Sequence, residues 1–270
     1  MPCWDTLRVV ARPGNGNSMT DYLLVHGAGQ GAWSWGAVWG YLTAPTEHPP
    51  RPYSPRRANR VHTLDLPGHG ADADGDTGDV RLEECVHAIT RAVEREELED
   101  VVLVGHGFAG GLVLQAAGQL SQPPKRIVLV AGMVPHYQRT MLSVLPKRTK
   151  ASFRLLSTFS KLTGGDVKLP KPVINSYLCN GMDPMEIVQV LGYFGPIPTR
   201  VLNTRLTLDQ PEPASPVTYI VLTQDRILPA ELQKRMAQRV PGVELVEVDS
   251  CHQVMQYRPK ELAEILLGYA

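Results

Sequence analysis

Four short stretches hold residue types able to do chemistry, and each follows an apolar run. The first is His26-Gly27-Ala28-Gly29-Gln30-Gly31-Ala32-Trp33, directly after YLLV. The second is Gly105-His106-Gly107-Phe108-Ala109-Gly110, after VVLV. The third is Asp225, just past YIVLT, and the fourth is His252, just past LVEV. His and carboxylate side chains are the common agents of proton transfer, and His titrates nearest neutrality. The centre of the second turn is Gly107, which has no side chain to react. A Ser there would complete G-x-S-x-A, a strand–turn–helix arrangement that exposes a nucleophile. The question is what the remaining groups can do without one.

The elements that must position these residues are legible as a pattern. Apolar runs at 22–26, 61–66, 101–104, 127–131, 219–223 and 245–248 are short and bounded by turn residues, as strands buried on both faces of a parallel sheet are. Helical segments are expected at 82–98, 111–120, 230–240 and 259–269. The alternation predicts an α/β fold, a doubly wound and mostly parallel sheet. Residues 1–135 and 217–270 would form the core. Residues 136–216 carry helix-like patches at 139–145, 152–162 and 184–191 and no clear strand, so they read as a helical cap over the sheet's C-terminal edge. Residues 45–60, rich in Pro and Arg, read as a solvated loop.

The order of the four features resembles that of the α/β-hydrolase superfamily, in which nucleophile, acid and His follow one another after an oxyanion-hole loop. The runs LLVHGAGQGAWSW, TQDRILP and DSCHQVMQYRPKELAEILLGYA are similar to the plant-type methylesterase and hydroxynitrile lyase branch. The resemblance implies roles by position. Asp225 would accept the Nδ1 proton of His252, and His252 would present Nε2 as general base or acid. The backbone N–H groups of Ala28 and Phe108 would form the oxyanion hole. His26, Gly27 and Gly29 would line the pocket, with His26 supporting the loop. The departure is Gly107, since a hydrolase of this kind needs Ser, Asp or Cys there.

Plainer roles compete at several positions. Gly107 relieves backbone strain wherever catalysis no longer matters; a laboratory change is the lesser alternative, since Ala is the usual replacement. His106 is expected to pack below its turn. Cys251 is a tempting substitute nucleophile, but sequence neighbours need not face one cavity. Trp33, Trp35 and Trp39 suit core or pocket-wall packing. Asp65 suits turn capping. Asp72, Asp74, Asp76 and Asp79 begin like a calcium loop but have no Glu at the twelfth position. No metal and no cofactor is expected.

Composition excludes some classes. The chain has 27 Lys and Arg against 27 Asp and Glu. Net neutrality points away from nucleic acid and from an anionic membrane. Four scattered Cys without metal spacing fit a reduced, cytoplasmic setting, and the start shows no secretory signal pattern. A preference for Arg over Lys fits a GC-rich genome, and with it secondary metabolism. Three functional readings stay open besides an inactivated esterase variant. One is a non-hydrolytic enzyme (epimerase or isomerase, lyase or cyclase) acting on a small or peptide- or polyketide-like metabolite. Another is hydrolysis by His-activated water, and the third is a ligand-binding pseudoenzyme.

Overall fold

The apolar runs become six strands: β1 (Asp21–Val25), β2 (Arg60–Leu64), β3 (Val102–His106), β4 (Arg126–Val130), β5 (Val217–Leu222) and β6 (Glu244–Val248). They come from a computed structural model, which describes residues 20–44, 59–73, 77, 79–163, 166–206 and 213–270. All neighbours pair parallel, in the order β2-β1-β3-β4-β5-β6. Alternate residues feed opposite cores, because successive side chains leave a strand on opposite faces. Leu23, Val25, Leu103, Leu129 and Val221 enter one cluster. Tyr22, Leu24, Val104, Val128 and Ile220 enter the other. This double burial is why the central strands read as continuous apolar runs rather than alternating ones.

In chain order the helices among the described residues are α1 (Gly36–Thr43), α2 (Leu82–Arg95), α3 (Ala109–Ala117), α4 (Lys147–Thr163), α5 (Lys171–Val173), α6 (Pro184–Tyr193), α7 (Thr199–Asn203), α8 (Ala230–Ala237), α9 (Val254–Tyr257) and α10 (Pro259–Leu267). Residues of α2, α3 and α8 join the first cluster, and those of α1, α9 and α10 join the second. The amphipathic spacing of α2 is plain: Leu82, Cys85, Val86 and Ile89 are its buried residues. It stops before residue 98 because Glu97 and Asp100 take positive φ, a conformation no helix continues through. Helix α3 starts two residues early, at Ala109. Gly110 lets it press on the next loop, where a Cβ would lie 2.5 Å from the Gly132 Cα.

Between β4 and β5 the described residues contribute α4 to α7 and no strand of the sheet. Of its expected patches, 139–145 is only a 3-10 turn at Met141–Val144. The stretch after α5 is a π-helical turn, Ile174–Leu178. Isolated bridges Thr140–Arg205 and Val167–Ile197 tie the insertion together. The Pro/Arg loop lies outside the described residues over 45–58. No helix among the described residues is long and apolar enough to cross a membrane.

Strand order reverses at β1, which pairs with β2 on one side and β3 on the other. Parallel α/β sheets bind ligands in the crevice beyond the strand ends at such a reversal. The loops after β1 and β3 are the two Gly-rich turns singled out above.

Candidate active site

The turn after β3 is pinned from several sides. Gly107 N–H donates to Val130 O (2.9 Å), and Gly107 O accepts from Gly110 N–H (3.1 Å) and Met133 N–H (2.7 Å). These bonds hold Gly107 at φ +50, the left-handed region where a Cβ is strained. A Cβ built there would lie 3.2 Å from His252 Nε2 and 3.4 Å from its Cε1. Position 107 therefore faces the Nε2 edge of His252 with no side chain of its own.

The loops after β5 and β6 bring the acid and the base together. His252 Nδ1 donates to Asp225 Oδ2 at 2.6 Å. Asp225 Oδ1 accepts from the N–H groups of Ile227 and Leu228, both at 2.9 Å. Gln233 Nε2 stands 3.4 Å from Oδ2 and donates to Leu228 O. The carboxylate is thus held by backbone donors, and its free oxygen fixes the imidazole tautomer with the proton on Nδ1. Nε2 keeps its lone pair, turned toward position 107, and can take or return a proton.

Ala28, Phe108 and His252 all line one pocket. The N–H groups of Ala28 and Phe108 donate to nothing among the described residues. The rest of the wall is apolar and includes Met133, Leu142, Phe153, Phe194 and Ile227. Its free volume is about 70 Å³, so a long chain would need the α4–α7 side chains to move aside. A larger open groove of about 700 Å³ lies by Leu114, Pro135 and Arg239, but it contains none of the candidate groups. Ala28, Phe108 and His252, the candidate groups, lie on the smaller pocket.

His26, Gly27 and Gly29, expected along the pocket, are not among its lining residues. His26 Nδ1 donates to Gly27 O (2.8 Å) and Nε2 accepts from Leu66 N–H (3.0 Å), so both ring nitrogens are spent on backbone. Burial pushes its pKa down to about 3 and keeps it neutral. Gly29 (φ +73) lies under Phe194, where a Cβ would meet the ring at 2.3 Å. Cys251 is fully buried among Leu178, Cys179 and Met182, and burial raises its thiol to about 11. It is not among the residues that line the pocket and is no thiolate nucleophile. Trp35 is core, but Trp39 is 47% exposed, contrary to the packing expected for it. Asp65 accepts from Ala32 and Ala71 N–H and caps both turns. Asp72 accepts from Gly68 N–H, and Asp79 pairs with Arg200. Asp74 and Asp76 lie outside the described residues. Among the described residues no cluster of His, Cys, Asp or Glu has metal-binding geometry.

Sequence reasoning missed three Gln. Gln30 Oε1 accepts from Gly27 N–H (2.8 Å), and Gln30 Nε2 donates to Gln253 Oε1 (2.7 Å). His106, below the turn as expected, donates from Nε2 to His252 O (2.9 Å) and sets Nδ1 3.0 Å from Gln30 Oε1. Burial holds His106 well below its ordinary pKa. Gln30, Gln253 and His106 thus bracket the oxyanion loop to the His252 loop. Gln233 does the same for Asp225, accepting from Leu222 N–H at 2.9 Å. The available signal was a long polar side chain inside otherwise apolar or Gly-rich stretches. Gln30→Ala should lower stability by about 1–3 kcal/mol through unpaired buried partners. It should lower kcat more than it raises KM; calorimetry and steady-state kinetics on one preparation read both effects.

A buried His–carboxylate pair, two free backbone donors and a strand–turn–helix elbow at the switch point of a parallel sheet define an α/β-hydrolase-type site. The sequence pattern of the alpha/beta hydrolase family matches residues 22–265, and the chain belongs to that family. Methylesterase 9 of Arabidopsis thaliana is 25% identical over 93% of this chain and 98% of its own. A carbendazim-hydrolysing esterase from Nocardioides sp. (strain SG-4G) is 24% identical over 68% of this chain; the match spans 63% of that esterase, less than two thirds. Several solved structures share the fold. An extracellular α/β-hydrolase from a Paenibacillus species, described as a structural and functional homologue of tobacco salicylic acid binding protein 2, has TM-score 0.78 and 21% identity, covering 92% of this chain and 98% of that one. Tomato methylketone synthase I complexed with 2-tridecanone has TM-score 0.70 and 16% identity, covering 93% and 97%. A His-to-Ala variant of that synthase, complexed with β-ketoheptanoate, has TM-score 0.69.

Proposed function

We propose that this protein is a non-hydrolytic enzyme, a lyase that binds an enolate in its oxyanion hole and moves a proton with His252. Its substrates are β-keto acids with an apolar chain, and the products are CO₂ and a ketone. The observation that carries the reading is position 107: no side chain faces His252 Nε2, although the His252–Asp225 bond measures 2.6 Å. Losing the Ser of a Ser-His-Asp hydrolase costs about 10⁶ in turnover, some 8 kcal/mol. Proton transfer and oxyanion binding need no side chain at that point.

The keto oxygen accepts from the N–H groups of Ala28 and Phe108. The bond from α-carbon to carboxylate breaks, its electron pair enters the enolate, and CO₂ leaves. Protonated His252 gives its Nε2 proton to the α-carbon, and solvent replaces that proton. Asp225 stabilises the imidazolium. The wall supports this course, because among the described residues no Lys or Arg lines the pocket. A carboxylate pressed against Leu and Ile is poorly solvated there, whereas CO₂ is neutral. The tomato synthase complexes hold a β-keto acid and a methyl ketone, substances of these two classes. Isomerase or cyclase chemistry would use the same enolate, but an apolar wall has few groups to orient a peptide-like substrate. Residues 136–216 act as the cap that selects chain length.

The test is a homologous series of straight-chain β-keto acids, followed by CO₂ release and ketone formation above the uncatalysed rate. A fluorophosphonate probe is run alongside. The expected result is chain-length-dependent ketone formation and no labelling. Stoichiometric labelling, or tight binding without ketone, would sink the reading. The open space beside Nε2 also admits a water, which favours direct hydrolysis as the second reading; slow ester turnover without a burst would select it.

A further inference from the structure

The chain is neutral as a whole, but its charge is segregated. Residues 136–171 hold eight Lys or Arg and one carboxylate, Asp166. Five of these cations lie on α4, which has no Asp or Glu in its 17 residues; four of them are Lys147, Arg148, Lys150 and Arg154. None of the four forms an ion pair among the described residues. The expectation that no membrane partner exists rested on net charge, which averages this patch away.

The inward face of α4 is settled by packing. Phe153 and Leu156 lie against the core, and Ser157 and Ser160 are buried. On the opposite face Ala151, Leu155 and Phe159 recur at every fourth residue, one stripe of a helix. Leu155 is 73% and Phe159 65% exposed. A helical turn places Lys147, Lys150 and Arg154 along one edge of that stripe, with Arg148 at its start. Single exposed apolar residues are ordinary, whereas an aligned pair with a cationic edge is the pattern of an interfacial helix.

We propose that the outward face of α4 docks on an anionic lipid surface. Such a surface supplies both halves of the match: an acyl boundary for Leu155 and Phe159, and headgroup charge for the cations. A nucleic acid would supply only the charge. A second copy of this chain would set the same cations against each other. No helix among the described residues can cross a membrane, so the contact lies on the surface. Phe153, on the inner side of the same helix, lines the catalytic pocket. An apolar substrate dissolved in the lipid would thus enter next to the site; that link rests on the proposed function, while the docking does not.

Sedimentation with phosphatidylcholine vesicles, and with vesicles containing about a third phosphatidylglycerol, tests the docking at low and high salt. The protein should pellet with the anionic vesicles at low salt, much less at high salt, and little with the neutral ones. Two exposed-site variants, Leu155→Glu and the pair Lys147→Glu with Arg154→Glu, should each lower binding about tenfold or more with an unchanged melting temperature. Equal binding to both vesicles, no binding to either, or insensitivity to both variants would overturn the proposal. So would a dimer that Leu155→Glu dissociates. Polyglutamate bound as tightly as the vesicles would assign the face to an acidic protein instead. Ketone formation in detergent-free buffer is assayed separately, so failure of docking and failure of the enzymatic reading are distinguishable.

Discussion

Gly107→Ser should give this protein an acyl-enzyme burst on small aryl esters that the unmodified chain lacks. The geometry argues for it directly. The new Cβ would stand 3.2 Å from His252 Nε2, so the ring must yield by a few tenths of an ångström while keeping its bond to Asp225. The new hydroxyl then lies within reach of a base already oriented by Asp225. The N–H groups of Ala28 and Phe108, proposed as the oxyanion donors, make no other bond among the described residues. Strain is the cost: at φ +50 a residue with a Cβ should destabilise the fold by about 1–2 kcal/mol. The gain in ester turnover should span several powers of ten, with about 10⁶ as the ceiling set by a complete triad. Stopped-flow release of the aryl alcohol and a thermal melt read both effects. A folded variant that admits the ester and shows no burst would mean that base and donors do not converge on one spot. That would remove the support for enolate chemistry as well, because both readings use the same convergence.

The core was legible because burial on both faces leaves little room in strand composition. Val102, Leu103 and Val104 are fully buried and were visible as a run. The edges shifted instead: the pairing of β3 extends to His106, beyond the apolar residues that marked it. Helix α1 was not legible at all. It holds Gly36 and Gly40 and exposes Trp39 and Tyr41, so propensity and pattern both speak against a helix there. Only Val38 and Leu42 pack inward, against a cluster that includes α10 residues far away in sequence. The insertion was hard to read for the same reason. Its π-turn ends at Leu178, whose carbonyl accepts from Gln253 N–H, a contact no local pattern announces.

The reactive residues were easier to find than their supports. Asp225 and His252 follow strands and carry titratable groups, which limits what they can be for. Gln30 and Gln253 are uncharged, and their bond joins positions 223 residues apart. Their meaning exists only after the sheet has brought the loops after β1 and β6 to one edge. His26 shows the converse: chemically suggestive in sequence, it spends both nitrogens on backbone.

His252→Ala should reduce ketone formation by about 10²–10⁴-fold, the usual contribution of a positioned proton donor. KM should change little, since the wall that holds the chain is apolar and its other lining residues are untouched. The truncation leaves the Asp225 carboxylate buried but still bonded to Ile227 and Leu228 N–H, so the fold should lose only about 1–3 kcal/mol. Two further measurements separate chemistry from architecture. Added imidazole should restore part of the rate in the alanine variant, which a purely structural role would not allow. Asp225→Asn keeps an oxygen for the backbone donors but removes the negative charge that stabilises the imidazolium from which the proton is given. A loss approaching the 10⁴-fold seen when a serine-protease triad is altered in this way is the upper bound. Unchanged ketone formation in both variants, with weakened ligand binding when pocket-wall residues of the insertion are changed, would mean a binding protein whose His–Asp pair is structural. Loss of rate with intact affinity and imidazole rescue would leave His252 as the group that moves the proton.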